Sequence, residues 1–138
     1  MNKILLVLFC AVLFACNSIS IEEPLLDSYM LMSDSEYDND IAIVYDLGNG
    51  NYIEIISPSV VAVGFSKEFI IAKQHPKEFA KTADKSKTNY YIIPLLEKVN
   101  LSPDLNKVGP LTEIEFKKMR KEMGVPHSLD FKKGFNIH

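Results

Sequence analysis

The segment Ile41–Ile56, IAIVYDLGNGNYIEII, leaves few folds open to this chain. Asn49-Gly50 between two apolar runs is the strongest short signal for a two-residue type I′ hairpin, because that turn needs positive φ at both central positions. Pairing outward from the turn sets Leu47 opposite Tyr52, Tyr45 opposite Glu54 and Ile43 opposite Ile56. The other face then carries Val44 with Ile55 and Asp46 with Ile53. Both faces are largely apolar, so the hairpin is expected to be central and covered, at least in part, on both sides.

More strands follow it. Ser57-Pro58-Ser59 breaks the run, and Val60–Phe65 (VVAVGF) is a third strand in which Gly64 marks a bulge or a close backbone approach. Ser66-Lys67-Glu68 is a turn. Phe69–Gln74 (FIIAKQ) is a fourth strand, stopped at His75-Pro76. Lys77 to Asn89 reads as a polar, lysine-rich loop. Tyr90–Leu96 (YYIIPLL) is a fifth strand, and Pro94, which has no N–H to give a ladder, makes it an edge strand or interrupts it. Tyr29–Met32 is a further strand candidate.

A helix is signed late in the chain. Thr112 with Glu115 three residues on forms a capping box, and Leu111 before the cap can staple onto Phe116. Phe116, Met119 and Met123 make one apolar stripe. Glu113 and Glu115 precede Lys117, Lys118, Arg120 and Lys121, the order the helix dipole favours. Gly124 and Pro126 end the helix. In the tail, Leu129, Phe131, Phe135 and Ile137 are spaced for one more strand. At 138 residues the chain is one domain with room for a tether. The expected fold class is α+β: an antiparallel sheet of about five strands with one C-terminal helix packed on a face.

The first residues are an address. Lys3 precedes an unbroken apolar run from Ile4 to Ala15. A helix of that length reaches about 18 Å, short of a hydrocarbon core of about 30 Å, so the run is a poor transmembrane anchor and fits a secretory signal. Leu13-Phe14-Ala15-Cys16 resembles the bacterial lipobox. The resemblance implies cleavage after Ala15 and acylation of Cys16, and two or more acyl chains hold a protein on a membrane where one does not. The expected organisation is a lipoprotein signal peptide at 1–15, a lipidated Cys16 with a tether through 27, and a domain at 28–138. Without Lys3, 14 basic residues face 18 acidic ones, so the domain does not lie flat on an anionic leaflet by charge alone. The same balance argues against nucleic acid as a partner.

Beyond the lipobox, the hairpin, FIIAKQHP at Phe69–Pro76, NYYII at Asn89–Ile93 and LTEIEFKKMRKEMGVP at Leu111–Pro126 together resemble a family of small bacterial lipoproteins with no assigned function. That resemblance implies a lipid-anchored, single-domain envelope protein. It supplies no catalytic residues to carry over.

Few residues suggest chemistry. The stretch Asp34–Asp40 is acidic, but an EF-hand register from Asp34 puts Asn39 where glycine is needed and Tyr45 where the bidentate glutamate is needed. Gly48-Asn49-Gly50 holds only the start of a dinucleotide fingerprint and sits in a hairpin. His75, His127 and His138 lack metal-ligand spacing, and Cys10 leaves with the signal, so neither metal nor cofactor is expected. Ser57 and Ser59 flank a proline and form no nucleophile elbow. His75, at a strand end beside lysines, is the one titratable residue placed like a general acid or base. Lys77, Lys81, Lys85 and Lys87 give the following loop a local positive charge. The leading expectation is a non-catalytic envelope module that binds a protein or glycan through His75, Lys77, Lys81 and Lys85. An immunity or inhibitor protein against a toxin or lytic enzyme is the second, and an envelope enzyme using His75 with Asp46 or Glu54 the third.

Overall fold

The computed structural model describes residues 21–33, 40–78, 81–95 and 103–133. The described strands are β1 (Ile21–Leu26), β2 (Tyr29–Ser33), β3 (Ile41–Gly48), β4 (Asn51–Ile56), β5 (Val60–Phe65), β6 (Phe69–Gln74), β7 (Asn89–Pro94), β8 (Val108–Leu111) and β9 (Lys132–Lys133). The helix α1 spans Glu113–Glu122. The class is α+β, but the single sheet expected from the sequence is two. The first has the order β1-β2-β3-β4. The second has the order β8-β7-β6-β5, with the two-residue β9 added beyond β5; both are antiparallel.

The layers follow from alternation along β6 and β7. Ile70 and Ala72 on β6, with Tyr91 and Ile93 on β7, point to one side, where they meet Leu31, Ile43, Ile55 and Ile56 of the first sheet. Their neighbours Ile71 and Ile92 point to the other side and pack with Phe116 of α1 and with Val125 and Leu129 beyond it. The second sheet is therefore buried on both faces, which is why FIIA and YYII are nearly continuous apolar runs. The molecule is a stack of sheet, sheet and helix.

The hairpin turn forms as expected, with φ of 57° at Asn49 and 75° at Gly50. Its register does not. Gly48 pairs with Asn51 and Ile43 with Ile56, but between them Tyr45 pairs with Ile53 and Asp46 with Tyr52. Two compensating bulges cause the slip, an extra residue at Leu47 on β3 and another at Ile55 on β4. Direct pairing would set Tyr45 against Glu54 and Asp46 against Ile53, a polar residue beside an apolar one on each face. The slip puts Tyr45 and Ile53 together against the core and turns Glu54 outward. Asp46 holds the first bulge by accepting the Gly48 N–H at 2.6 Å. The hairpin is also less central than expected: β3 is interior to its sheet, but β4 is an edge.

Other expectations need adjusting. The segment read as tether contributes β1, so the first sheet begins at Ile21 and not at Ser28. Pro94 closes β7, which is an interior strand; the missing N–H falls at its end and breaks no ladder. β8 and the 3-10 turn Pro103–Asn106 had no sequence reading. The tail adds β9 on β5, and its apolar Phe135 and Ile137 lie outside the described residues.

The helix forms as read. The Thr112 Oγ1 accepts the Glu115 N–H, and the Glu115 carboxylate accepts the Thr112 N–H at 2.8 Å. Leu111, Met119 and Met123 pack with Phe116. Past the helix, Arg120 donates to the carbonyls of Pro126, His127 and Leu129, which fixes the turn that brings Val125 and Leu129 back onto the sheet. That returning chain runs so close to β5 that a Cβ at Gly64 would overlap the Asp130 carbonyl.

Two predictions come from this packing. Gly64→Ala should lower unfolding stability by about 1–3 kcal/mol, since the clash is with backbone and not with a flexible tip; urea unfolding measures it. The hydrogen bonds from Thr112 hold the Glu115 carboxyl below its ordinary value. Its stabilisation of α1 is thus present above the ordinary carboxylate range and lost as pH falls through the lowered value. In an NMR titration the Thr112 amide should shift with that lowered midpoint, and Glu115→Ala should abolish the shift.

Candidate functional site

Polar side chains gather where the chain crosses from one sheet to the other. The corner Ser57–Ser59 joins β4 to β5, and the end of β6, the start of β7 and Asp40 before β3 meet it. Strand alternation aims Gln74 inward after Ile70 and Ala72, so a polar side chain arrives at a core position. It is fully used there. Its Nε2 donates to the Ser57 carbonyl at 2.9 Å and to the Ser57 Oγ at 3.2 Å. Its Oε1 accepts from Asn89 Nδ2 at 3.2 Å and from Tyr91 Oη at 3.1 Å. Burial pushes the Tyr91 phenol above its ordinary value, so it stays a neutral donor.

Ser59 is the strained residue of this corner. It is buried and has φ of 81°, a left-handed conformation uncommon outside glycine. Its carbonyl accepts the His75 N–H at 3.0 Å, and its hydroxyl lies 3.5 Å from the Asp40 carboxylate. Both Asp40 oxygens accept from Lys77 Nζ at 2.7 Å in a half-buried ion pair.

His75 is half-buried, and its Nδ1 lies 2.8 Å from the Lys87 carbonyl. A carbonyl only accepts, so Nδ1 carries a proton, which in the neutral tautomer makes Nε2 the acceptor. A histidine so held can bind a donor or move a proton. The carboxylates expected to assist it are elsewhere: Asp46 is bound to Gly48 at the hairpin tip, and Glu54 is exposed on β4. Ser59 meets His75 through backbone, not through its hydroxyl.

The loop lysines are largely matched by acids. Lys77 pairs with Asp40, Lys81 with Glu78 and Lys87 approaches Asp84 at 3.6 Å, while Lys85 is exposed. Asp84, held below its ordinary pKa first by the Ser86 hydroxyl and then by the Ser86 N–H, also organises the loop. Of the remaining sequence candidates, Gly48-Asn49-Gly50 is a turn and His127 is exposed after the helix. Residues 34–39 of the acidic stretch, His138 and Cys16 lie outside the described residues. Among the described residues no group of three His, Cys, Asp or Glu is placed to hold a metal, and no helix is long and apolar enough to cross a membrane.

Sequence reasoning passed over Gln74 and Ser59. For Gln74 a signal existed, since the period-two pattern through Ile70 and Ala72 points it inward. Nothing in the sequence marks the left-handed Ser59.

These features define a three-layer α+β domain with a buried polar junction between its sheets. The chain belongs to the family DUF3997, described as a protein of unknown function, whose model matches residues 27–136. The expectation of an uncharacterised family is met in that respect. No curated protein and no solved structure matches the chain.

Replacing Gln74 with leucine should cost about 2–3 kcal/mol, because the Tyr91 hydroxyl and the Ser57 carbonyl lose their buried partner. Chemical unfolding of Gln74→Leu beside the parent protein checks this.

Proposed function

We propose that this protein is a lipid-anchored component of a bacterial cell envelope whose folded domain is a non-catalytic binding module. The observation that carries the reading is Leu13-Phe14-Ala15-Cys16 at the end of a short apolar run behind one lysine. Such a run is too short to span a bilayer, and a thiol there is suited to acylation.

The start of the first sheet bears on how such a protein is displayed. Five residue steps separate Cys16 from Ile21, a reach of at most about 18 Å. A domain attached this way stays close to the surface that holds its lipid, with β1 as the nearest strand. Its partners are then other envelope proteins, or segments of them, rather than nucleic acid. The binding reading draws support from the polar junction, where Gln74, Ser57 and Tyr91 are spent on one another and Lys77 on Asp40. Groups so engaged hold the two sheets in place and leave recognition to the outer surfaces.

The test is metabolic labelling with a radioactive fatty acid in cells expressing the full chain. Label should enter the parent protein and be absent from Cys16→Ser, which should accumulate at the size of the uncleaved precursor. An unlabelled parent protein overturns the anchor.

A further inference from the structure

The hairpin of β3 and β4 closes on the one Asn-Gly pair of the chain; every other asparagine precedes a residue with a side chain. Asn49 and Gly50 are both exposed, and a Cβ built on Gly50 would meet nothing within 4 Å. The side-chain hydrogen bonds of the tip pass Asn49 by. The Gly48 N–H donates to Asp46 at 2.6 Å, and Asn51 Nδ2 donates to the Gly48 carbonyl at 3.4 Å. The Gly50 N–H lies inside the loop, beyond the last ladder pair, Gly48 with Asn51. Among the described residues, then, the tip sets an unbonded carboxamide next to an unhindered main-chain N–H.

Those two groups can react with each other. The Gly50 nitrogen forms a bond to Asn49 Cγ, its proton passes to the leaving amide, the Cγ–Nδ2 bond breaks and ammonia departs. A cyclic imide remains. Water then opens it at Cγ, giving aspartate, or at the main-chain carbonyl, giving isoaspartate, in which the chain runs through Cβ and Cγ. The net change is water in and ammonia out. The closed turn withholds this reaction. With φ of 57° at Asn49 and 75° at Gly50 the turn is of type I′, which carries the Gly50 nitrogen to the side of the Asn49 Cα–C bond opposite Cβ. The peptide between them must turn over before the nitrogen reaches Cγ. Exposed loops with few buried contacts open at the least cost in free energy, and this tip is one.

We infer that Asn49 is a site of self-catalysed deamidation, gated by opening of the β3–β4 turn, and that its isoaspartate product holds the tip open. A main chain lengthened by one carbon no longer fits a two-residue turn, so the change runs one way. The Gly48–Asn51 pair is lost, and with it the Asp46 bond that holds the bulge at Leu47. The base of the hairpin stays, because Ile43 and Ile56 are fixed in the core. The product also adds a carboxylate where charge is already one-sided. From residue 17 to residue 66 the chain has nine Asp or Glu and no Lys or Arg, whereas from 67 onward 14 Lys or Arg outnumber nine Asp or Glu. The new acid falls close to Asp46, with no cation in that stretch to offset it. The site does not depend on the anchor or on the binding-module reading.

The test ages the full chain, purified in mild detergent, in warm and mildly alkaline buffer, both folded and unfolded in urea. Mass spectrometry of its peptides reads conversion at each asparagine, and methyl transfer by an isoaspartate methyltransferase reads the isomer. In the folded protein, aspartate and isoaspartate should accumulate at 49 with ammonia released in step, while Asn51, Asn89 and Asn106 keep their amides. Conversion should be faster in urea, where the gate is gone. Asn49→Gly keeps both turn positions free to adopt positive φ; it should stay folded by circular dichroism and form no isoaspartate at the tip. In the aged folded protein the NMR signal of the Gly48 amide should move, and those of Ile43 and Ile56 should not. An Asn49 that stays intact in the folded protein while the urea sample converts overturns the inference, and so does conversion that leaves the Gly48 amide unmoved. Because acylation is measured separately, loss of this site leaves the anchor standing, and loss of the anchor leaves this site.

Discussion

The burial of β6 and β7 on both faces is the constraint from which the remaining architecture follows. Each presents an aliphatic or aromatic side chain alternately to the first sheet and to the helix, so neither side can be given up without exposing half of a strand. Burying a large aliphatic side chain contributes roughly 1.5–3 kcal/mol. Ile70, Ile71, Ile92 and Ile93 are all completely inaccessible, and they tie the three layers into one cooperative unit. The first sheet exists in this position because it covers one face of that centre. The helix and the returning tail exist where they do because they cover the other.

Much of this was legible in the residues because the signals were local. The Asn-Gly turn, the serine turn at Ser66, the boundaries of β5 and β6 and the capping box of α1 each depend on neighbours within a few positions, and each forms. The number of sheets was not legible in the same way. FIIA and YYII advertise a strand covered on both sides, but whether the cover is helix alone or helix and sheet is decided by residues far away in sequence. The register of the hairpin was missed for a related reason. Bulges at Leu47 and Ile55 are settled by which side chains the opposing sheet will bury, and only the finished core shows that Tyr45 and Ile53 must share a face.

The polar junction shows the same division. Gln74 could be placed at a core position from strand parity alone, yet its partners come from a corner and a strand that parity does not bring together. His75 was singled out as a lone titratable group, and the fold gives it an oriented ring through the Lys87 carbonyl. The lysines beside it looked like a positive patch in sequence; in space, Asp40 and Glu78 answer two of them. Charge read along the chain mistakes neighbours in sequence for neighbours in space. The larger asymmetry, acidic first sheet against basic second, survives folding because each sheet is built from one continuous stretch.

The bulge at Ile55 of β4 has one more effect. An edge strand ordinarily offers a regular row of N–H and C=O groups to any extended chain, yet here Ile55 breaks the row and its carbonyl is occupied by Lys107 Nζ at 2.6 Å. At the opposite edge Pro24 lacks an N–H, and Glu22 and Glu23 flank it with charge. Copies of the chain are thereby kept from zipping together into continuous ribbons along either border of this sheet. A chain that approaches either border of the first sheet therefore meets side chains and an interrupted backbone row, and not an open ladder.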